Sequence, residues 1–504
     1  KAIKEQLSLL SNKFSKNVIE ATNSWKKEVS AEDLKGYGEA ELSKVRSGEN
    51  YEINLQMPIY IDLMTYADDR ELREEVYKAY ISRASDVGIT SKDFDNRQIM
   101  DEILELRSEL SKLVGFSNFA EYSVESKMVD SPDEVIDFLD NLIELSLPQA
   151  KRELIELEDF AGYELMPWDL MYFSEKLKQK KFSFKKSDLK PYFPEKSVFD
   201  GLFQTIQNLY GIKLSEIDED TYHDDVRVIE LHDNKELIGR IYLDVYAREN
   251  KRGGAWMSDY QGLYKDSLPV AFVVCNLNSP SEGKPALFDF DEIVTIFHEF
   301  GHALHHLLTK VPFPCAAGIS GVPWDGVELP SQYMENFCYE REVIDHISGH
   351  WETGEKLPDE LFQKVIESKN FQSGMQMLRQ CEFALWDIKT HISEADTYEI
   401  LSEVREKTSL IPIIKENRFL NAFSHIFSGG YAAGYFSYKW AEVLAADAYE
   451  FVKSNGGIGS ESSSEFRSQI LEIGGSLDFM EQYIKFRGNK PKLDGLLKVS
   501  GISV

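Results

Sequence analysis

Cysteine is scarce in this sequence. Cys275, Cys315, Cys338 and Cys381 are the only four, widely spaced and without a CxxC pair. That argues against a disulfide framework or a thiolate zinc site and fits buried structural cysteine in a reducing cytoplasm. Long apolar runs are missing as well. The most apolar stretch, Leu268 to Leu277, has the length of a buried strand and falls far short of the ~20 residues of a spanning helix, so no membrane partner is expected. Basic charge is in deficit, with 56 Lys and Arg against 86 Asp and Glu and a formal net charge of −30. Such a surface repels phosphate backbones, and no nucleic-acid partner is expected. No internal repeat is evident. A hydrophobic fraction of 42% with 12% aromatics excludes wholesale disorder. The first residue is Lys1 and not Met, so the sequence is expected to begin partway through a longer product, with a removed targeting segment left open.

The 504 residues suffice for two or three ordinary domains or one large enzyme unit divided by a cleft, expected here as a monomer. Residues 1–160 read as a helical wall region. Within it, Ser131-Pro132-Asp133-Glu134 is a helix start, with a capping serine, proline at the first helical position and a capping-box glutamate. Val135, Phe138, Leu139, Leu142 and Leu145 continue at helical spacing until Pro148 interrupts them. Leu7–Trp25 and Ile99–Leu113 carry the same period.

Residues 161–504 read as the catalytic region. Its lysine-rich stretch, Lys176 to Lys196, is either a solvated face or a docking patch. In Arg240 to Tyr246, Ile241, Leu243 and Val245 alternate as in a half-buried strand. Lys251 to Met257 reads as a turn entering a second strand, and Leu268 to Leu277 as a third. Cys275 and Asn276 end a strand that either pairs with an extended substrate or belongs to an ordinary core. The chain then returns to helix, broken by the Gly/Ser-rich stretch Ser454 to Ser464, a surface loop. The composite is a mainly α fold with a small β-sheet.

The chemistry concentrates at His298-Glu299-Phe300-Gly301-His302. Histidines at i and i+4 share one helix face, so both imidazoles can reach one metal ion. Glu299 points roughly 100° around the helix from His298, where its carboxylate can hold a metal-bound water without becoming a ligand. Asp289, three residues before Glu292, caps this helix, and Ile293, Phe297, Phe300, Leu304 and Leu307 supply its apolar face. Catalytic zinc takes three protein ligands and keeps one position open; Glu328 is the candidate third. Pro330 places Glu328 in the first turn of its helix or just before it. Glu335, two turns further on, is either a partner of a ligand histidine or a surface carboxylate. His305 and His306 read as packing residues. Tyr431, Tyr435 and Tyr438 form an i, i+4, i+7 stripe that by itself reads as core packing.

Phe297 to His305, Gly321 to Asp325, Val327 to Gln332 and Met334 to Asn336 resemble the thimet oligopeptidase family of zinc metallopeptidases, nearest to its bacterial oligopeptidase A and peptidyl-dipeptidase branch. Lys251 to Met257, Phe423 to His425, Gly429 to Tyr431 and Tyr438 to Glu442 extend the likeness over nearly the whole chain. The resemblance implies a two-lobed, zincin-type body with a deep central channel, and a missing first quarter that would build part of one channel wall. It implies one Zn²⁺ per chain, bound by His298, His302 and Glu328, with Glu299 activating a zinc-bound water. Tyr438 would donate to the oxyanion, while Tyr431 and His425 hold the substrate backbone. Gly429, Gly430 and Gly434 would let their segment move. The expected activity is endopeptidase cleavage of short unstructured oligopeptides. A peptidyl-dipeptidase releasing C-terminal dipeptides and an inactive peptide-binding scaffold are the alternatives.

Overall fold

Helix start signals in the sequence become helix starts in space. In the computed structural model, residues 1–88, 92–182, 186–248, 251, 254–265, 267–277, 279–280 and 283–502 are described. Ser131 Oγ accepts the Glu134 N–H at 3.2 Å, opening the helix Pro132–Ala161, which Gly162 ends in the left-handed conformation. Pro148 does not interrupt this helix, contrary to the sequence reading. The missing N–H costs about 3 kcal/mol, and the turns beyond it recover burial through Ala150, Leu154 and Leu157, where the helix packs along Ser373–Ile392.

Among the described residues the fold is mainly helical with two small sheets. Two units divide the chain at positions 183, 371 and 436, against the 1–160 and 161–504 regions read from sequence. One unit joins Lys1–Ser183 to Gln372–Phe436, the other Phe184–Phe371 to Ser437–Val504.

The first unit holds a sheet that its helical pattern concealed. Asn50–Asn54 lies between Lys26–Val29 and Arg46–Ser47, antiparallel to both. Its short strands put Ile53 and Val29 into a core with Leu63, Met64 and Trp168. Three lysines of the Lys176–Lys196 stretch make ion pairs typical of a solvated face, Lys176 with Asp68, Lys181 with Glu156 and Lys196 with Asp200.

The second unit holds a five-stranded sheet in the order Ile212–Ile217, Arg227–Asp233, Glu236–Tyr246, Val270–Leu277, Trp256–Gln261. Asn234 and Lys235, both at positive φ, make the two-residue turn between its second and third strands. Ile241, Leu243 and Val245 are buried as their alternation requires. Val270–Leu277 pairs parallel with Glu236–Tyr246 on one side and antiparallel with Trp256–Gln261 on the other. Both its edges are paired as far as Val274; from there the strand runs on through Cys275 and Asn276 to Leu277 with ladder partners on the Glu236–Tyr246 side. Trp256–Gln261 is one edge of the sheet, and Ile212–Ile217 the other. Arg252 and Gly253 of the expected turn lie outside the described residues.

Candidate metal centre

Asp289 Oδ1 accepts the Glu292 N–H at 3.0 Å and Glu292 Oε2 accepts the Asp289 N–H at 2.7 Å. This reciprocal cap satisfies two otherwise orphaned donors and starts the helix Phe290–Leu307. Ile293, Phe297, Phe300 and Leu304 are buried, and the helix packs on strands Val270–Leu277 and Trp256–Gln261. That burial fixes the rotation of the helix and so the direction of His298 and His302, whose ring centroids stand 4.9 Å apart.

A loop then returns the chain to this helix. Gly318, at φ +59°, lies so close that a Cβ there would meet the His306 Cα and backbone oxygen at 2.8 Å. At the end of the loop Glu328 occupies the cap position of the helix Leu329–Phe337, with Pro330 in its first turn. Glu328 Oε2 lies 3.1 Å from His302 Nε2 and 3.4 Å from His298 Nε2. Ser331 Oγ donates to the same carboxylate oxygen at 3.0 Å. Crossing of the two helices depends on Gly301: a Cβ there would fall 2.5 Å from both the Pro330 carbonyl oxygen and Ser331 Cα. Glu335, one of the two options left open by the sequence, meets His298 Nδ1 at 2.6 Å. That contact leaves Nε2 of the same ring facing Glu328.

One ligand atom from each of His298, His302 and Glu328 lies within 4.8 Å of the others. Two imidazole nitrogens and one carboxylate oxygen suit zinc in donor type and number. The charges agree. Burial pushes the His298 imidazole down, but the carboxylates of Glu328 and Glu335 outweigh it and lift the ring to about 10. Burial likewise works to raise Glu328, and His298 and His302 override it, holding the carboxyl well below the usual range. Two carboxylates around two imidazoles therefore favour positive charge between them.

Glu299 differs from its neighbours. It is buried, and burial raises its carboxyl above the ordinary value against the opposing pull of His298 and His302. Its Oε2 has no hydrogen-bond partner among the described protein atoms. A buried acceptor without a protein partner calls for a non-protein one, such as water or an ion. His305 and His306 point away into the core. His306 Nε2 hydrogen-bonds the Gln261 carbonyl at 2.9 Å, and burial pushes His305 down to about 3. Both are packing residues.

The remaining predicted site residues divide between the units. Tyr438 belongs to the second, in the first turn of the helix Ser437–Ser454, which packs on Leu329–Phe337. His425 and Tyr431 belong to the first. There the His425 carbonyl accepts the Tyr431 N–H at 3.0 Å, and their rings are 6.0 Å apart. The tyrosine stripe is not one helical face: Tyr431 and Tyr435 both precede the helix, Tyr435 in a turn. Sequence reasoning missed Gly301 and Ser331, although a glycine between two candidate ligands was a signal of close helix contact.

Among the described residues no helix is long and apolar enough to cross a membrane. The chain matches the model for peptidase family M3 over residues 63–502. Oligopeptidase A of Escherichia coli (strain K12) is 47% identical over 524 residues, which cover 99% of this chain and 77% of that protein. Dipeptidyl carboxypeptidase of the same organism is 33% identical over 453 residues, covering 86% of this chain and 66% of that protein. Among solved structures, oligoendopeptidase-F from Enterococcus faecium superposes with a TM-score of 0.54 at 13% identity, covering 99% of this chain and 70% of the other. At that identity the likeness speaks for the fold alone. With its ligand-competent histidines and glutamate inside the matched span, the chain belongs to peptidase family M3 and is a metallopeptidase.

Proposed function

We propose that this chain is an oligopeptidase that cleaves peptide bonds within short, unstructured peptides, using one zinc ion held by His298, His302 and Glu328. The observation that carries the reading is the convergence of those three ligands beside a buried carboxyl, Glu299, with a raised affinity for protons. A bound zinc ion supplies a Lewis acid that makes water more acidic and polarises a carbonyl. Glu299 takes a proton at its carboxylate from the attacking water and delivers it to the departing amine. Glu335 fixes the His298 ring through Nδ1. Tyr438 donates its hydroxyl to the oxygen of the tetrahedral intermediate, a role a neutral donor fills at small cost in reorganisation. Tyr431 and His425 hold the substrate backbone. These last three roles rest on the likeness of their segments to the family. The higher identity to the oligopeptidase A relative than to the dipeptidyl carboxypeptidase favours internal cleavage. A cytoplasmic location suits the four free cysteines, of which Cys315 is exposed.

Glu299→Gln tests the chemistry. Zinc content is expected to stay near one per chain while kcat falls by about 10²–10⁴-fold; undiminished kcat removes Glu299 as the base. Peptides of graded length with free and amidated C-termini test the cleavage mode. Internal cleavage survives amidation, and its abolition overturns the endopeptidase reading.

A further inference from the structure

The segment that carries His425, Tyr431 and Tyr435 is tied down from beneath by three buried side chains that the proposed chemistry does not use. Asp387, on the helix Ser373–Ile392, is fully buried. Its Oδ1 accepts the Ala433 N–H at 2.9 Å, and its Oδ2 accepts those of Gly434 and Tyr435 at 2.9 and 3.0 Å. His391 Nδ1 stands 3.1 Å from Oδ1. Three consecutive backbone N–H groups thus converge on one carboxylate, one on Oδ1 and two on Oδ2.

The imidazole extends the chain. His391 Nε2 lies 3.0 Å from Arg107 Nη1. A guanidinium only donates, so Nε2 accepts and Nδ1 carries the hydrogen, which goes to the Asp387 carbonyl at 2.8 Å and holds the ring against Asp387. Arg107, itself buried, uses its other arm to donate to the Ile426 carbonyl at 2.7 Å. One buried Arg–His–Asp chain therefore grips the segment at two places, next to His425 and just beyond Tyr431. From a third side Ser123 Oγ meets the carbonyls of Ala432 and Ala433 at 3.1 and 3.0 Å. Ala433 sits at φ 47°, a conformation that a non-glycine residue keeps only when its surroundings compel it.

We infer that Arg107, His391 and Asp387 are positioning residues for the His425–Tyr435 segment, setting the placement of the groups that hold the peptide substrate. The inference rests on the reading of His425 and Tyr431 given above. It also narrows where the segment can move: the Gly429–Gly430 stretch is exposed, whereas residues 433–435 are anchored.

The test uses the full chain loaded with zinc. Asp387→Asn presents an amide to backbone N–H groups that need an acceptor, so two contacts become repulsive. A displacement of about 1 Å in a positioning group costs up to about 10²-fold. The expected result is a fall of at least about 10-fold in kcat/KM, expressed mainly as a raised KM, with zinc content unchanged. Amide hydrogen exchange should quicken at Ala433, Gly434 and Tyr435. Combined with Tyr431→Phe, the variant should lose no more than the worse of the two single changes, because both act through one segment. Arg107→Lys keeps the charge but cannot reach both His391 and Ile426; it should show a smaller loss of the same kind, and it carries the test if Asp387→Asn does not fold. Unchanged kcat/KM in Arg107→Lys and in folded Asp387→Asn, or losses that multiply with Tyr431→Phe, would overturn the inference. If Tyr431→Phe and His425→Ala are themselves unimpaired, the reading of the segment fails and takes the inference with it.

Discussion

Alanine at position 301 would set a methyl group 2.5 Å from the Pro330 carbonyl oxygen and from Ser331 Cα. Both are backbone atoms, so no side chain can swing aside. Relief to an ordinary contact of 3.4 Å requires the helices Phe290–Leu307 and Leu329–Phe337 to part by about 0.9 Å. Glu328, Ser331 and Glu335 all ride on the second helix, and they would withdraw together from His298 and His302. Disturbing groups that orient metal ligands costs about 10–100-fold in affinity, and we expect Gly301→Ala to lose zinc affinity in that range with a parallel loss of kcat/KM. Stability gives an independent sign. In an unconstrained helix Gly to Ala stabilises by about 1 kcal/mol, whereas overpacking costs about 1–3 kcal/mol, so the variant should be net neutral to destabilised. Competition with a chelator measures the affinity, and urea denaturation of the zinc-free protein measures the stability. A Gly301→Ala protein that is more stable and binds zinc as tightly as the parent would refute the reasoning.

Glu335→Ala removes the acceptor from His298 Nδ1 and should weaken zinc binding about 10–100-fold without altering cleavage position; titration against a chelator decides it. Ser331→Ala deletes one donor to Glu328 and should cost less than Glu335→Ala in the same titration, because both histidines still face that carboxylate. Burial works to raise the Asp244 carboxyl, but Arg248, Lys251 and Tyr222 override it and hold the group at about 2, against an ordinary 3.8. A depressed carboxyl stabilises the fold above its unfolded value and loses that contribution as pH falls through the folded one. The deficit of Asp244→Asn in urea midpoint should therefore be full at pH 7 and shrink between pH 4 and 2; a constant deficit would show that charge is not its source.

The candidate metal centre could be read from the sequence because its requirements are local. His298 and His302 share a helix face by spacing alone, and Asp289 with Glu292 announces where that helix begins. Glu328 depended on family likeness, since nothing in its neighbourhood distinguishes it from other glutamates until the loop folds back. Errors arose where tertiary packing outvoted local signals. Pro148 continues a helix because the turns beyond it have a partner to bury against. The Lys26–Asn54 sheet escaped notice because strands of two to five residues are too short to show alternation. Ser454–Ser464 is only partly a loop, since Ser460 caps a helix from Glu461 to Phe466 and Ser462 and Ser463 are buried. Asp387 is an ordinary helical residue in sequence, and its three backbone partners lie far along the chain.

The interleaved segments of the two units also set an order of events on the ribosome. His298, His302 and Glu328 have all emerged while the far end of their own unit is still unmade. The helix that carries Glu335 leans on residues made more than a hundred positions later: Phe337 packs edge-on against Tyr449, and Tyr333 stacks on Phe466 at 4.0 Å. A nascent chain thus holds every candidate ligand before it holds their support, and the helix beside them gains that support only once Tyr449 and Phe466 have been made.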